Sequence, residues 1–191
     1  AFAEAVLYNA KATDRLGKSA DGNTVMDFDP EEIRRKISLN TSVATCEWRD
    51  YKVNIIDTPG DFDFLGELMQ GLRVADAGLI LISAKDGASV GAEKAVRHSR
   101  KLKLPLFFMI SRMDEANANF DRALESLQQS FGSQVVPFAL PIVSDGKMTG
   151  VVDVVSGQAY ALDGKTGAAT PMAFPQAMQD SVAAIRESLN E

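Results

Sequence analysis

Two short runs made wholly of apolar residues, Gly78-Leu79-Ile80-Leu81-Ile82 and Leu106-Phe107-Phe108-Met109-Ile110, alternate with segments of helical spacing at about 62–75, 89–103 and 119–131. A strand without polar alternation belongs where both of its faces are dry, and this pattern predicts buried strands in a mostly parallel α/β sheet with helices on both faces. Residues 135–143 read as a further strand of that layer. From about residue 144 the rhythm changes, with Gly146, Gly150, Gly157 and Gly164 punctuating short β segments. Residues 174–190 return to helix with Met178, Val182, Ile185 and Leu189 on one face. The expected organisation is an α/β domain over 1–143 and a small α+β subdomain over 144–191.

Ahead of the sheet, residues 2 to about 12 show helical spacing without a start signal, which predicts that further chain precedes them. Residues 14–38 are polar and glycine-bearing and read as a mobile, switch-like loop with one helical turn. Asp29-Pro30-Glu31-Glu32 supplies that turn with a cap and a proline at its first position. Strand candidates Leu39 to Trp48 and Tyr51 to Ile56 are joined by Arg49-Asp50, a connection of hairpin length.

Composition removes several classes of function. A net charge of -6 over 191 residues argues against a sequence-independent nucleic-acid binder, since neutralising phosphates requires a surplus of Lys and Arg. The single cysteine, Cys46, forms no internal disulfide or CxxC pair, and the single histidine, His98, sits among Arg97, Ser99, Arg100 and Lys101 on what reads as an exposed helix face. No apolar run reaches the roughly 20 residues needed to cross a bilayer as a helix. The chain reads as soluble, cytoplasmic and monomeric.

The strongest local signal is Val53-Asn54-Ile55-Ile56-Asp57-Thr58-Pro59-Gly60. Asp57 emerges at the carboxyl end of an apolar strand, where open α/β sheets place their ligands. A carboxylate there suits a hydrated Mg²⁺, which takes oxygen ligands and keeps most of its waters. Gly60 leaves room for a backbone amide to approach a terminal phosphate. The second signal is Ser111-Arg112-Met113-Asp114, again at a strand end. A carboxylate at Asp114 can accept from two ring donors of guanine that adenine does not match, although it could also simply cap the next helix. The two acidic groups are expected on one rim of the sheet, Asp57 facing metal and phosphate and Asp114 facing the purine.

These residues carry a resemblance to translational GTPases of the elongation factor G type. Asp57 to Gly60 followed by Asp63-Phe64 resembles the family's phosphate-sensing motif, and Ser111 to Asp114 its guanine-specificity motif, normally Asn-Lys-x-Asp. Ala3-Glu4-Ala5-Val6-Leu7-Tyr8-Asn9 is similar to the helix after the phosphate-binding loop, Arg35 to Leu39 to the end of the first switch, and Asn117 to Phe120 and Gly150 to Asp153 to later family segments. The resemblance implies a P-loop GTPase fold, GTP/GDP and Mg²⁺ as ligands and the ribosome as partner. It assigns Asp57, Thr58, Pro59, Gly60, Ser111, Arg112 and Asp114 to the nucleotide, and Ser38 with Asp57 to the metal.

The sequence also departs from the family pattern. The GxxxxGK[ST] loop is absent, so this chain by itself is expected neither to bind GTP tightly nor to hydrolyse it. Asp61 stands where the family carries a water-positioning histidine, and a carboxylate beside a phosphate gaining charge is repelled. Hydrolysis by the intact protein is therefore expected to be slow or to need a partner's group. Ser111 replaces Asn, Arg112 replaces Lys, and Lys36 replaces the switch glycine.

A degenerate GTP-binding switch, or a ribosome-protection or release-factor GTPase, is the alternative to an active elongation factor. Gly164-Lys165-Thr166 lacks a preceding strand and reads as a hairpin turn. The pairing of Ser144 to Lys147 with Lys165-Thr166-Gly167 resembles penicillin-recognising hydrolases only superficially, without the Ser-Asp-Asn that should lie between them.

Overall fold

Asp29 opens the helix over Pro30–Arg35 (α2) with both halves of a capping box: its side chain accepts from the Glu31 amide, and the Glu32 carboxylate reaches back to the Asp29 amide. The structure, a computed structural model, describes residues 2–164 and 167–189. The chain divides into two compact units, residues 1–80 with 93–107 and residues 81–92 with 108–191.

In the first unit the helix Phe2–Asn9 (α1) buries Ala3, Glu4 and Leu7, one face at helical spacing. Ala3 and Leu7 share a core with Met26 and Cys46, against which Val6, Ala10, Ala44 and Ile55 pack. The polar stretch after α1 holds one turn of 3₁₀ helix, Ser19–Asp21, before α2. Lys36 ends α2 in the left-handed region at φ 58, its amide on the Glu32 carbonyl at 2.7 Å. Glycine suits such a position because a Cβ is strained there. Lys36→Gly is expected to raise the unfolding free energy by about 0.5 to 1 kcal/mol, read by urea denaturation; a loss of stability would show that the lysine side chain does more than tolerate the turn.

Strands Ser42–Trp48 (β1) and Tyr51–Asp57 (β2) form an antiparallel hairpin in register from Trp48 opposite Tyr51 to Ser42 opposite Asp57. Arg49 and Asp50 both take positive φ, 48 and 68, the signature of a tight two-residue turn matched to strand twist. Helix Leu65–Val74 (α3) comes so close to the end of β2 that a Cβ on Gly71 would lie 2.7 Å from Thr58 Cγ2.

Strands Gly78–Ser83 (β3) and Leu106–Ser111 (β4) pair, with the helix Val90–Leu102 (α4) between them in sequence. The Gly78 amide donates to Pro105 in the first unit and the Ala84 amide to Ser111 in the second, a constant offset that makes the pair parallel. The expectation of strands dry on both faces is corrected: burial alternates along both, and Leu79, Leu81, Phe107 and Met109 are exposed. β3 and β4 form a two-stranded sheet of their own, so apolar composition does not translate into burial on both sides.

In the second unit Asn119 caps the helix Phe120–Phe131 (α5) by accepting from the Arg122 amide at 2.9 Å, and Phe131 stacks on Phe108 with ring centroids 5.2 Å apart. Strands Ala139–Ser144 (β5), Lys147–Asp153 (β6), Gln158–Leu162 (β7) and Ala169–Met172 (β8) make an antiparallel sheet in sequence order. The strand expected at 135–143 is thus β5, paired antiparallel with β6 instead of joining the parallel layer. Pro141 and Pro171 fall on β5 and β8, the two edges, where a missing amide donor is tolerated. Helix Gln179–Leu189 (α6) places Val182 in a core with Leu140, Val152, Val154 and Ala159, and Met178 and Ile185 pack against it. Leu189, expected on that face, is exposed at the helix end. Lys165 and Thr166 of the Gly-Lys-Thr run lie outside the described residues.

Candidate functional site

Asp57 closes β2, and Ser38 and the stretch Thr58 to Asp61 lie with it in the first unit. Burial holds the Asp57 carboxyl above the usual carboxylate range, the like charges of Asp27 and Glu4 add to it, and the positive amino terminus of the chain and a hydrogen bond from the Thr58 amide oppose it. Excess negative charge built from hard oxygen donors is chemistry that a divalent cation would relieve. Among the described residues no three His, Cys, Asp or Glu side chains converge as a metal cage.

The charge state has a measurable consequence. An Asp whose folded pKa exceeds its unfolded value of about 3.9 contributes stability that is present below that value and lost as pH rises through the raised one. Without a bound cation, Asp57→Asn should remove this part of the decline above about pH 4 and leave the protein more stable than wild type at pH 7, as read by urea unfolding across pH. Parallel pH profiles for the two proteins would refute the assignment.

Ser38 directs its hydroxyl to Asp27 Oδ1 at 2.6 Å, and Thr24 Oγ1 donates to Asp27 Oδ2 at 3.0 Å. Asp27, a residue that sequence reasoning missed, is therefore the group that gathers the loop hydroxyls beside Asp57. Two further carboxylates were missed. Glu4 is buried and accepts the amides of Val25 and Met26 at 2.7 and 3.2 Å through Oε1, while its Oε2 has no partner among the described residues. Glu32 is fully buried and accepts the amides of Leu39 and Asn40. The segment between α1 and β1 is thus anchored at two points.

Pro59 is buried and Gly60 exposed, and a Cβ built on Gly60 meets nothing within 4 Å. Among the described residues nothing demands glycine at that position. Asp61 is exposed and its Oδ1 accepts the Asp63 amide at 3.3 Å, a capping role at the turn Phe62–Phe64.

Ser111, Arg112 and Asp114 lie together in the second unit at the end of β4. The Ser111 hydroxyl donates to the Ile82 carbonyl at 3.1 Å, which ties the end of β4 to β3. Arg112 takes φ 61, and its Nε meets Glu115 Oε1 at 2.7 Å. Asp114 is exposed, and its carboxylate has no hydrogen bond or ion pair among the described residues. Two adjacent polar groups are therefore committed internally and the third is left as an open acceptor.

The model of the elongation factor Tu GTP binding domain matches residues 1–186. The chain is 31% identical over 189 residues to elongation factor G of Mycoplasma pneumoniae, covering 98% of this chain and 28% of that protein. It is 34% identical over 181 residues to the mitochondrial ribosome-releasing factor 2 of Culex quinquefasciatus, covering 95% of this chain and 24% of that protein. A crystal structure of a Thermus thermophilus protein superposes with a TM-score of 0.89 at 32% identity, over 97% of this chain and 27% of that one. The chain therefore spans roughly a quarter of the length of these relatives. With the family model matched over nearly its whole length, the chain belongs to the elongation factor Tu GTP-binding domain family.

Proposed function

We propose that this chain is the guanine-nucleotide-binding part of an elongation factor G-like protein that hydrolyses GTP on the ribosome in the cytoplasm. The observation that carries the reading is Asp114, an exposed and unengaged carboxylate on a turn whose neighbouring polar groups are all engaged. In this reading Asp114 accepts the guanine ring donors, Arg112 lies against the base, and Ser111 holds the end of the strand. Asp57 holds Mg²⁺ through water with Ser38 as the second oxygen donor, which requires the Ser38 hydroxyl to leave Asp27. The metal supplies charge neutralisation at the phosphates when bound. Thr58 and Pro59 set the path to Gly60, whose amide faces the terminal phosphate. In this reading residues 1–143 form the nucleotide-binding domain and 144–191 an insert, with β5 at 139–144 running across that boundary to pair with β6 and share a core with α6.

The test is titration of the intact protein with a fluorescent GDP analogue, with and without Mg²⁺, followed by GTP turnover with ribosomes. Binding that is micromolar or tighter, selective against ADP and strengthened by Mg²⁺, is expected. Equal affinity for ADP would remove the reading. Asp61 favours a second reading, a nucleotide-dependent switch with little hydrolysis, because an exposed carboxylate replaces the group that would orient water. Tight GTP binding with turnover unaffected by ribosomes would select it.

A further inference from the structure

The turn that carries Asp114 is closed twice by the same two residues. The Glu115 amide donates to the Arg112 carbonyl at 3.2 Å, and Arg112 Nε donates to Glu115 Oε1 at 2.7 Å. Asp114 lies between them, at the third position of this four-residue turn. Both ends of the loop are also pinned: upstream the Ala84 amide donates to the Ser111 carbonyl at 2.9 Å, and downstream the Asn119 amide donates to the Ala84 carbonyl at 3.0 Å. Arg112 holds a left-handed conformation that a non-glycine residue keeps only where its surroundings over-determine it.

We propose that Glu115 is a positioning residue for guanine selection, acting through Arg112 and resting on the reading of Asp114 as the purine acceptor. Two physical effects combine. The ion pair and the backbone hydrogen bond span the same turn, so the side-chain contact fixes the backbone that aims Asp114. Glu115 also occupies the guanidinium that stands two residues from Asp114. Without that partner, the Arg112 guanidinium, two residues away along the same turn, is free to pair with the Asp114 carboxylate and quench the acceptor that the base must meet. An isolated ion pair at this exposure contributes little to folding, which is why its effect is expected in selectivity and not in stability.

The experiment measures the affinities of the intact protein for GDP and for inosine diphosphate, which lacks the 2-amino donor that a well-aimed Asp114 would accept. Glu115→Gln should lower the GDP preference by about two- to fivefold, with Glu115→Asp recovering part of it and thermal unfolding essentially unmoved. The wild-type preference should also weaken with added salt, and that of Glu115→Gln should not. An unchanged preference in Glu115→Gln, in a wild type that does discriminate, overturns the role of Glu115 alone. A wild type that binds both nucleotides equally overturns the reading of Asp114, and the role of Glu115 falls with it.

Discussion

Glu32→Ala lowers the unfolding free energy of the first unit by about 3 to 5 kcal/mol, because each buried amide left without an acceptor costs about 1 to 3 kcal/mol. The Glu32 carboxylate is fully buried and serves three such amides, Asp29 at 3.1 Å, Leu39 at 2.8 Å and Asn40 at 2.9 Å. It thereby joins the start of α2 to the lead into β1, seven and eight residues downstream. Glu32→Gln keeps one acceptor oxygen but turns an amide donor toward some of these groups, so its cost should fall between those of wild type and alanine. Urea denaturation measures the total, and hydrogen exchange at Leu39 and Asn40 locates it. A loss below about 1 kcal/mol would show that water replaces the carboxylate at no great cost.

Asp114→Ala has its large effect on the ligand instead. Two hydrogen bonds from a base to an ionised carboxylate contribute about 1.5 to 3 kcal/mol each, so GDP affinity of the intact protein should fall about 10²- to 10⁴-fold. Stability should change by less than about 0.5 kcal/mol, because the side chain is exposed and has no partner among the described residues to lose. ADP affinity should hardly move, since adenine does not offer the matching donors. Isothermal calorimetry with both nucleotides separates these outcomes, and an equal loss for GDP and ADP would place Asp114 at the phosphates or in the fold. The contrast with Glu32 is one of environment: a buried carboxylate with three donors holds the structure, and an open one with none is available for chemistry.

Much of the site's scaffolding is legible along the chain because it is local. The cap at Asp29 and the proline at the first position of α2 are adjacent residues. Arg49-Asp50 makes the expected tight hairpin turn, and Asn119 caps α5 three residues ahead of the amide it binds. Asp57 and Asp114 stand at or just beyond strand ends, as the runs before them predict, but β2 and β4 belong to two separate two-stranded sheets and not to the single sheet rim expected. By contrast, Glu4 and Glu32 sit on helices where a glutamate ordinarily faces water, and nothing near them in sequence says that loop amides return to meet them. The direction of β5 escapes a reading of the sequence for the same kind of reason. An apolar run shows that a strand forms and does not show which neighbour it will pair with.

What the residues determine by themselves here is short-range: periodicity, caps, turn conformations and the placing of acidic groups beyond apolar strands, each set by interactions within a few positions. What the folded chain alone decides is which distant groups share a carboxylate or a carbonyl. Glu4 meets the Val25 amide 21 residues away, and Ser111 meets the Ile82 carbonyl 29 residues away. The like charge around Asp57 comes from Asp27 and Glu4, neither of them its sequence neighbour. Such pairings follow from loop closure and burial, which depend on the whole path of the chain, so no local pattern carries them.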